Sequence, residues 1–373
     1  MDKKMRAQVL LEPYKMELRE VPVPVIDENE VLIKVKYCGI CGSDWGAYTG
    51  KYADEAKLLP LVIGHEFFGT VAEVGSKVRG INIGERVSAD ICLTCGTCYY
   101  CRRGEGLLCE SFRQIGIHTA ETSGGYSEYV KVPWQNIYKI PDEVDDYKAS
   151  FIEPITACLH AARNMDCKIA TSVVVIGCGL GIIHGALAKL RGAAPVIVIG
   201  TKADRLRMAL DMCADYVIDT TKTPDVVAEV MKLTGGIGAD YVIEAVGTSK
   251  TYEQALKMVR KGGTVEAFGI CSDDDFATIA PVDFVLAEKK INGSCAGIGN
   301  DWGDAITLLK YKRLDPTPLI SMVVPLEEAE AALKELRSNP KLVKVLISPE
   351  IKERIILAEE CGNAKTGGQT DGI

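Results

Sequence analysis

Four cysteines lie close together in one short segment of the sequence. The segment contains, in order, Cys95, Cys98, Cys101 and Cys109, separated by two, two and seven residues. Four thiolates at such a spacing can surround a zinc ion tetrahedrally, and a closed site of this kind crosslinks a loop with little core of its own. We therefore predict a structural zinc site here. A set of buried or redox-active thiols is the alternative.

A second group of metal-binding side chains is scattered along the chain. It consists of Cys41, His65, Glu66 and Glu153. Thiolate, imidazole and carboxylate are ligand types that hold zinc while leaving one position open for a substrate. Taken singly, His65 could be a core histidine and Glu153 an ion-pair partner. Together, and in this order, they predict a catalytic zinc site.

A glycine-rich turn follows an apolar segment at residues 173–176. The turn contains Gly177, Gly179, Leu180 and Gly181, and apolar residues then recur at helical spacing. Strand, glycine turn and helix in this order are typical of a dinucleotide site, because the glycines admit the pyrophosphate and the helix N-terminus supplies N–H donors. Ile182 stands where the usual third glycine belongs, and a purely structural turn is the alternative.

The end of the next strand bears on the choice of cofactor. NAD sites place an acidic residue there to hold the ribose 2′-hydroxyl, but this chain has Gly200. A hydroxyl and two cations follow, on Thr201, Lys202 and Arg205. This charge pattern suits a 2′-phosphate, so we predict that NADP(H) is favoured over NAD(H). In the alternative, the turn is merely solvated and Asp204 serves NAD.

The segments around these residues predict two domains. Short strand-like runs broken by Gly and Pro indicate a mainly β domain at the start of the chain. Apolar strands alternating with helical segments then indicate a parallel sheet with right-handed crossovers. We predict a first part of the catalytic domain at 1–152, a dinucleotide-binding domain at 153–293, a return to the catalytic domain at 294–349, and a tail at 350–373.

Four elements are predicted after the parallel sheet. They are helices at 304–311 and 326–337, a strand at 343–347 and a helical stretch at 351–360 within the tail. The tail ends in a glycine-rich segment that has nothing to bury.

Bulk composition narrows the range of partners. A chain of 373 residues with 47% apolar content can fill two cores. The net charge of −8 argues against nucleic-acid or anionic-membrane partners, which need a basic face, and favours a small molecule. No apolar run approaches 18 residues and no secretory signal is visible. We therefore predict a cytoplasmic protein whose 14 cysteines serve as thiols and metal ligands.

These motifs resemble those of the zinc-containing medium-chain dehydrogenases, particularly the sorbitol, threonine and related polyol dehydrogenase branch. The resemblance runs from about residue 5 to residue 347. It rests on Gly39-Ile40-Cys41-Gly42-Ser43-Asp44, Gly64-His65-Glu66, the four-cysteine loop, Gly124-Gly125-Tyr126-Ser127-Glu128-Tyr129, Glu153-Pro154 and Gly177-Cys178-Gly179. It implies an α/β protein in which a Rossmann domain with a doubly wound parallel sheet lies between the two halves of a GroES-like catalytic domain.

The resemblance also implies roles for the scattered residues. Cys41 and His65 would hold the catalytic zinc, with Glu66 and Glu153 as the remaining carboxylate ligands, which can exchange. The metal would lower the pKa of a bound alcohol, and a hydride would pass to the nicotinamide. Ser43 would pass the hydroxyl proton onward, although its hydroxyl could instead cap the following turn.

Several residues near these motifs have open roles. Gly46 stands where the family usually has the outer histidine of the proton relay. His118 lies in a loop near the expected substrate cleft and could contact the substrate or its proton, or be an ordinary loop histidine. Trp45, Tyr48 and Tyr52 could line the pocket or serve as packing aromatics.

The sequence thus predicts an oxidoreductase with one catalytic and one structural zinc. It would transfer hydride between NADP(H) and a secondary alcohol, polyol or sugar-like substrate and the matching carbonyl, as a homo-oligomer (dimer or tetramer). A threonine-type amino-alcohol dehydrogenase that uses NAD is one alternative. A non-catalytic NADP-binding or redox-sensing protein is an alternative of another class.

Overall fold

The computed structural model describes residues 3–51, 57–119, 123–272 and 274–357. Tyr52 and residues 358–373, which include most of the predicted tail, lie outside these ranges.

The first part of the chain forms mainly β-structure. Its strands are β1 (Lys4–Glu12), β2 (Lys15–Pro22), β3 (Glu30–Gly39), β4 (Glu66–Val74), β5 (Arg86–Ala89), β6 (Cys92–Leu93), β7 (Arg113–Gln114), β8 (Tyr129–Pro133) and β9 (Ile137–Lys139). Its short helices are α1 (Gly42–Thr49), α2 (Tyr99–Arg102) and α3 (Asp146–Ala149). The strands β3 and β4 pair antiparallel at the centre of a large mixed sheet.

The middle of the chain alternates strands and helices. The strands are β10 (Val173–Ile176), β11 (Val196–Gly200), β12 (Tyr216–Asp219), β13 (Ala239–Glu244), β14 (Val259–Ala267) and β15 (Lys290–Gly293). The helices are α4 (Ile152–Arg163), α5 (Gly181–Leu190), α6 (Ala203–Met212), α7 (Val226–Leu233), α8 (Ser249–Met258) and α9 (Pro281–Leu286).

The six strands of this middle part form one parallel sheet in the order β12-β11-β10-β13-β14-β15. The strand β10 is buried along its whole length because helices cover both faces, which explains its unbroken run of Val and Ile. Successive strands are added outward from β10 in one direction and then from β13 in the other. The carboxyl ends of β10 and β13 therefore flank the crevice in which such sheets bind ligands.

The last part of the chain returns to the first sheet. It contains α10 (Asn300–Lys310), β16 (Ile320–Pro325), α11 (Ala329–Ser338), β17 (Lys344–Ser348) and β18 (Ile355–Ile356). The strand β17 pairs with β3, so residues from both ends of the described chain share one sheet. The predicted α/β class, with a doubly wound parallel sheet and a second, mainly β part, is confirmed. The domain boundaries at residues 152, 293 and 349 stay a prediction.

Three elements differ from the sequence-based expectation. The helix predicted at 304–311 begins earlier, at Asn300, and the one predicted at 326–337 opens with a 3-10 turn at Leu326–Glu328 before α11. The helix predicted at 351–360 is wrong for the residues that are described. Ile355 and Ile356 instead form β18, which pairs antiparallel with the edge of β16. Unsatisfied backbone groups at a sheet edge outweighed a weak helical periodicity.

A continuous apolar core joins the two sheets. Phe151, Ile152 and Ile155, at the start of α4, belong to the same buried cluster as Val173 of the parallel sheet and Leu346 of the mixed sheet. This core fixes α4 against both sheets and places their facing edges around one cavity. Within the described ranges, no helix has both the length and the apolar character that crossing a membrane requires.

Candidate metal sites and catalytic cavity

The four-cysteine loop folds back on itself around α2. The Sγ atoms of its four cysteines lie within 4.8 Å of one another, and those of Cys95 and Cys101 are 4.0 Å apart. A tetrahedral zinc with bonds of about 2.3 Å would separate its sulfur ligands by about 3.8 Å. The thiols therefore fit a single zinc ion, and the described cysteines carry free thiols.

Backbone N–H groups point at the sulfurs of this loop. The N–H of Cys98 donates to Cys95 Sγ at 3.3 Å, and that of Cys101 donates to Cys98 Sγ at 3.5 Å. Hydrogen bonds from Thr97 and from the Cys98 N–H lower the pKa of Cys95 to about 6. Such donors favour the thiolate form, which is the form that binds metal.

The second cluster is assembled where two strands meet. Cys41 follows the end of β3, and His65 and Glu66 lie at the start of β4. Because Gly39 is paired with Glu66 across the two strands, the side chains of Cys41, His65 and Glu66 converge, with one ligand atom of each within 4.8 Å of the others. A Cβ on Gly39 would collide with the Glu66 carboxylate. Only glycine leaves room for that carboxylate.

Asp44 orients the imidazole of His65. Its Oδ1 lies 3.5 Å from His65 Nδ1, while its Oδ2 accepts hydrogen bonds from the Cys41 N–H at 2.8 Å and from the Tyr126 hydroxyl at 2.9 Å. Burial acts to lower the pKa of His65, but Cys41 and Asp44 raise it to a value well above normal. The other ring nitrogen, Nε2, lies 3.5 Å from Ser43 Oγ. A carboxylate on one ring nitrogen leaves the other available as a metal ligand.

Lys344 holds the carboxylate of Glu66 from behind. Its Nζ lies 2.6 Å from both carboxylate oxygens and also donates to the Ile40 carbonyl at 3.0 Å. Both side chains are buried. Burial acts to lower the pKa of Lys344, but Glu66 and Cys41 raise it above normal. The ammonium therefore remains charged, and Glu66 has a permanent partner beside the metal cluster.

Glu153 lies apart from this trio. It sits in the first turn of α4, is half-buried, and lines the same cavity, but it is not among the atoms that converge within 4.8 Å. Burial raises the pKa of Glu153 to about 7, despite the opposing effect of His65. The structure thus brings three of the four predicted ligands together and leaves the fourth in the cavity wall.

A single cavity of about 1010 Å³ connects the cluster of Cys41, His65 and Glu66 to the glycine turn. Ser43 and His65 line it on the side of the mixed sheet, and Gly179 and Phe268 line it on the side of the parallel sheet. It opens at the carboxyl ends of β10, β13 and β14, the place where doubly wound sheets bind nucleotides.

The aromatic residues near Ser43 divide between the two predicted roles. Trp45 lines the cavity. Tyr48 is buried, and its hydroxyl lies 3.0 Å from the Tyr14 carbonyl and 2.8 Å from the Glu330 carboxylate, to one of which it donates, so it is a packing residue. Gly46 and His118 both line the cavity.

The glycine turn lies as the sequence indicates. Gly177 follows β10, Gly181 begins α5, and Gly179 and Leu180 between them line the cavity. Arg205 also lines it, with a guanidinium nitrogen 3.9 Å from where a Cβ on Gly179 would lie. Arg205 is half-buried and donates to the Leu342 carbonyl, and burial lowers its pKa.

The end of β11 has no room for an acidic side chain. A Cβ on Gly200 would collide with the thiol of Cys178. Thr201 and Lys202, which follow, are exposed and lie outside the cavity lining, with Lys202 immediately before α6. Of the three polar residues predicted here, only Arg205 reaches the cavity wall.

Three residues of the site were missed at the sequence level: Asp44, Tyr126 and Lys344. Asp44 and Tyr126 lie inside motifs that were recognised, but nothing in the motifs says which atoms they contact. Lys344 had a visible signal, since it is the one charged residue in an otherwise apolar run at 342–347. A lysine in a central strand calls for a buried acid as its partner.

Comparison with known proteins agrees with this arrangement. Residues 27–142 match the family model "Alcohol dehydrogenase GroES-like domain", and residues 179–311 match the model "Zinc-binding dehydrogenase". An L-threonine 3-dehydrogenase of Bacillus velezensis is 34% identical over 350 residues, covering 93% of this chain and 99% of that one. The chain belongs to the zinc-containing medium-chain alcohol dehydrogenase family and is an NAD(P)-dependent oxidoreductase that acts on CH–OH donors.

Two further relatives show the range of this family. A sorbitol dehydrogenase of Halalkalibacterium halodurans is 32% identical over 336 residues, covering 89% of this chain and 95% of that one. A crystal structure described as a zinc-binding dehydrogenase of Sinorhizobium meliloti 1021 bound to NADP has a TM-score of 0.85 and 32% identity, covering 93% of this chain and 100% of that one.

Proposed function

We propose that this protein transfers hydride between NADP(H) and a secondary alcohol of the polyol or sugar type and its carbonyl, using one catalytic and one structural zinc ion. The observation that carries this proposal is the single cavity in which the Cys41, His65 and Glu66 cluster faces the glycine turn. An alcohol carbon bound at the cluster can then lie against a nicotinamide held by the turn.

The residues of the cluster take distinct roles in this proposal. Cys41, His65 and Glu66 hold the catalytic zinc, which when bound supplies a Lewis acid that lowers the pKa of an alcohol oxygen. Ser43 Oγ, at 3.5 Å from His65 Nε2, passes the hydroxyl proton onward. Glu153 lies in the cavity wall, within reach of the cluster through water or on exchange with Glu66. Since Gly46 carries no side chain, the proton leaves Ser43 through water or another group.

The remaining cysteines of the proposal have no part in the chemistry. Cys95, Cys98, Cys101 and Cys109 hold the structural zinc, with all four coordination positions occupied by thiolates. This closed site stabilises the loop that leads from β6 to β7.

The preference for NADP(H) is supported by the surroundings of Gly200. The thiol of Cys178 occupies the space that an acidic side chain would need, and Arg205 and Lys202 supply positive charge nearby. NADP(H) should bind at least about tenfold better than NAD(H), a difference of about 1.4 kcal/mol. Equilibrium titrations of the two cofactors decide this, and equal affinities would contradict it.

Two variants test the contributions of Lys202 and Arg205 to cofactor binding separately. Lys202→Ala should weaken NADP(H) while leaving NAD(H) unchanged, because only NADP(H) carries a 2′-phosphate. The matched control is Lys189→Ala, an exposed lysine in the last turn of α5. Arg205→Ala should also weaken NADP(H) preferentially. A parallel loss of both cofactors would show that Arg205 acts on the glycine turn instead, which it overlies.

The substrate class is tested by a panel of polyols, sugars, hydroxy acids and amino alcohols, each assayed with both cofactors. Polyols or sugars with NADP should give the highest kcat/KM. An L-threonine dehydrogenase that uses NAD is the second candidate, favoured by the 34% identity to the Bacillus velezensis enzyme. The highest rate with L-threonine and NAD would replace the first proposal by the second.

A non-catalytic NADP-binding or redox-sensing protein is the candidate of another class. Metal analysis separates it from an enzyme, since we expect two zinc ions per chain. Fewer than two zinc ions and no turnover of any alcohol would favour the non-catalytic candidate. A cytoplasmic location stays part of the proposal.

The oligomeric part of the proposal rests on the edge of the parallel sheet. Among the described strands, β15 has a neighbour on one side only. The helix that precedes it in the chain, α9, exposes Val285 at 74% and Leu286 at 78% of their surface. An open edge strand next to exposed apolar side chains favours pairing with a second copy of this chain. Sedimentation should give a dimer or tetramer, and Val285→Asp should shift it toward monomer; a wild-type monomer contradicts the proposal.

A further inference from the structure

The strand β13 ends in a glutamate that is fully buried. Glu244 has no exposed surface, and its carboxylate is held by the loop that follows the strand. Its Oε1 accepts hydrogen bonds from the N–H groups of Val246 at 2.9 Å and Gly247 at 3.0 Å, and its Oε2 accepts one from the Gly247 N–H at 3.1 Å. Backbone N–H groups that converge in this way form a small anion-binding concavity. Here a carboxylate of the same chain fills it.

The same residue joins this loop to the loop after β14. The carbonyl oxygen of Glu244 accepts hydrogen bonds from the N–H groups of Phe268 at 3.0 Å and Gly269 at 2.8 Å. The two loops also touch directly, since a Cβ on Gly269 would lie 2.3 Å from the Gly247 nitrogen and 2.5 Å from Glu244 Oε2. The Tyr252 hydroxyl donates to the Gly269 carbonyl at 2.6 Å. Glu244 and Tyr252 therefore fix the two loops against each other.

Both loops form part of the wall of the catalytic cavity. Residues 245–248 and 268–270 line it, while Glu244 itself is buried and does not. A doubly wound sheet binds a dinucleotide across its two halves, with the adenosine at the half that contains β11. The nicotinamide then falls to the half that contains β13 and β14. The two loops at the ends of these strands are the part of the wall that it would meet.

We propose that Glu244 is a positioning residue for hydride transfer, which keeps the two loops at the spacing at which they hold the nicotinamide half of the cofactor. This inference rests on the proposed function and goes beyond it, because it names a residue that acts on the cofactor only through other residues. The hydrogen bonds from the loop need an acceptor on both side-chain oxygens. A glutamine does not meet this condition, because its amide nitrogen only donates.

The main experiment compares two ligands that differ only in the nicotinamide. NADPH contains it, and 2′-phospho-ADP-ribose keeps the rest of the molecule. Calorimetry should show that Glu244→Gln binds NADPH about tenfold more weakly than wild type, because hydrogen bonds to a charged group are lost. The affinity for 2′-phospho-ADP-ribose should stay as in wild type. Equal losses for both ligands, or unchanged binding of NADPH, would overturn the proposal.

A matched control comes from the neighbouring strand. Glu266 on β14 is an equally buried carboxylate, but it is held by the Asn164 side-chain amide and not by a loop. Glu266→Gln should leave the ratio of the two affinities unchanged. If it changed the ratio as much as Glu244→Gln does, the effect would belong to any buried carboxylate of the sheet, and the role of Glu244 would be wrong.

A milder variant tests the same loops if Glu244→Gln does not fold. Tyr252→Phe removes only the hydrogen bond to the Gly269 carbonyl. It should weaken NADPH by about fivefold, as expected for one neutral hydrogen bond, and leave 2′-phospho-ADP-ribose unaffected. An equal loss for both ligands would again count against the proposal.

Single-turnover kinetics give a second readout. At saturating NADP and alcohol, hydride transfer should slow by about a hundredfold in Glu244→Gln, since a misplacement of about 1 Å costs that much. An unchanged rate at saturation would overturn the positioning role. If wild type oxidises no alcohol, the proposed function fails, and the two affinities still decide the role of Glu244. If wild type binds only NADH, then NADH and ADP-ribose replace the two ligands, and only the proposed cofactor preference fails.

Discussion

The two cysteine-containing clusters of this protein are built in opposite ways. The four-cysteine loop draws all its proposed ligands from one segment, and three of its four cysteines are at least partly exposed. The cluster of Cys41, His65 and Glu66 is drawn from the ends of two strands, and its carboxylate is held by Lys344 from a third. One cluster depends on local spacing, and the other depends on the whole fold. The same Cys to Ser change should therefore have different consequences in each.

The largest effect should come from Cys41→Ser. Removing a thiolate from the open cluster should abolish the Lewis-acid contribution, which is worth several kcal/mol, so turnover should fall by roughly a thousandfold or more. The protein should remain folded and bind cofactor, with zinc reduced from two ions to one. Metal analysis, cofactor titration and kcat measure these three quantities. Normal rates with one zinc missing would show that this zinc takes no part in catalysis.

The next largest effect should come from breaking the buried ion pair. Glu66→Ala removes a proposed metal ligand and leaves the Lys344 ammonium buried without its carboxylate. Such an uncompensated charge costs about 3–5 kcal/mol, so both zinc content and the free energy of unfolding should fall. The double variant Glu66→Ala/Lys344→Met should recover stability, because it removes the unpaired charge. It should not recover zinc, because it does not restore the carboxylate.

Glu153→Ala is the matched comparison for Glu66→Ala. Since Glu153 lies outside the converging trio, its loss should keep most of the zinc and lower mainly kcat, by about 10–100-fold. Metal analysis of the two purified variants compares them directly. A zinc-free Glu153→Ala protein beside a zinc-loaded Glu66→Ala protein would reverse the assignment of the direct ligand.

Cys98→Ser should affect stability more than chemistry. The loop has little apolar core, so opening its thiolate site should lower the melting temperature and the soluble yield. The kcat of the protein that remains folded should stay close to that of wild type. A Cys98→Ser protein with normal melting but lost activity would mean that the two clusters are not independent.

The smallest effect concerns a buried titratable group that has no charged partner. His184 on α5 packs against Phe268 at 4.4 Å between ring centroids, and burial lowers the pKa of His184 to about 3. The unfolded chain takes up a proton as the pH falls below about 6.5, and the native protein does not. The loss of stability caused by His184 therefore grows as the pH falls from about 6.5 to about 3, and it reaches about 1.4 kcal/mol at pH 5.5.

His184→Met should remove this penalty without changing stability at pH 8. Urea unfolding at the two pH values gives the comparison. The same experiment compares two kinds of buried titratable group: His184, which has no charged partner, and the ion pair of Glu66 and Lys344. If wild type and variant lost the same stability between pH 8 and pH 5.5, His184 would be accessible to protons in the native state.

How well each cluster could be predicted from sequence follows from the same contrast. The spacing of Cys95, Cys98, Cys101 and Cys109 was enough to predict a convergent site, because few conformations of so short a segment keep four thiols apart. Cys41 and His65 are 24 positions apart, so their residue types and order predicted a zinc site, but no local spacing showed that the two side chains converge. Lys344 escaped notice because its partner Glu66 is 278 positions away along the chain.

The parallel sheet was easier to predict than the ends of the chain. An uninterrupted apolar strand such as β10 can be recognised as buried from its composition. The glycine turn that follows β10 marks the position of the crevice. The helix predicted at 351–360 failed because pairing with β16, which decides the conformation of Ile355 and Ile356, is a long-range event. The ligand roles of Glu66 and Glu153 stay predictions, since a pattern of residue types does not state distances.

The position of Lys344 has a consequence for the synthesis of this protein. A ribosome releases Glu66 278 residues before Lys344, an interval on the order of tens of seconds at typical elongation rates. Throughout that time the carboxylate has no ammonium partner, and the cluster of Cys41, His65 and Glu66 lacks the strand that closes it from behind. The surroundings of Cys41, His65 and Glu66 are therefore complete only when β17 has left the ribosome and paired with β3, although these three residues are synthesised much earlier.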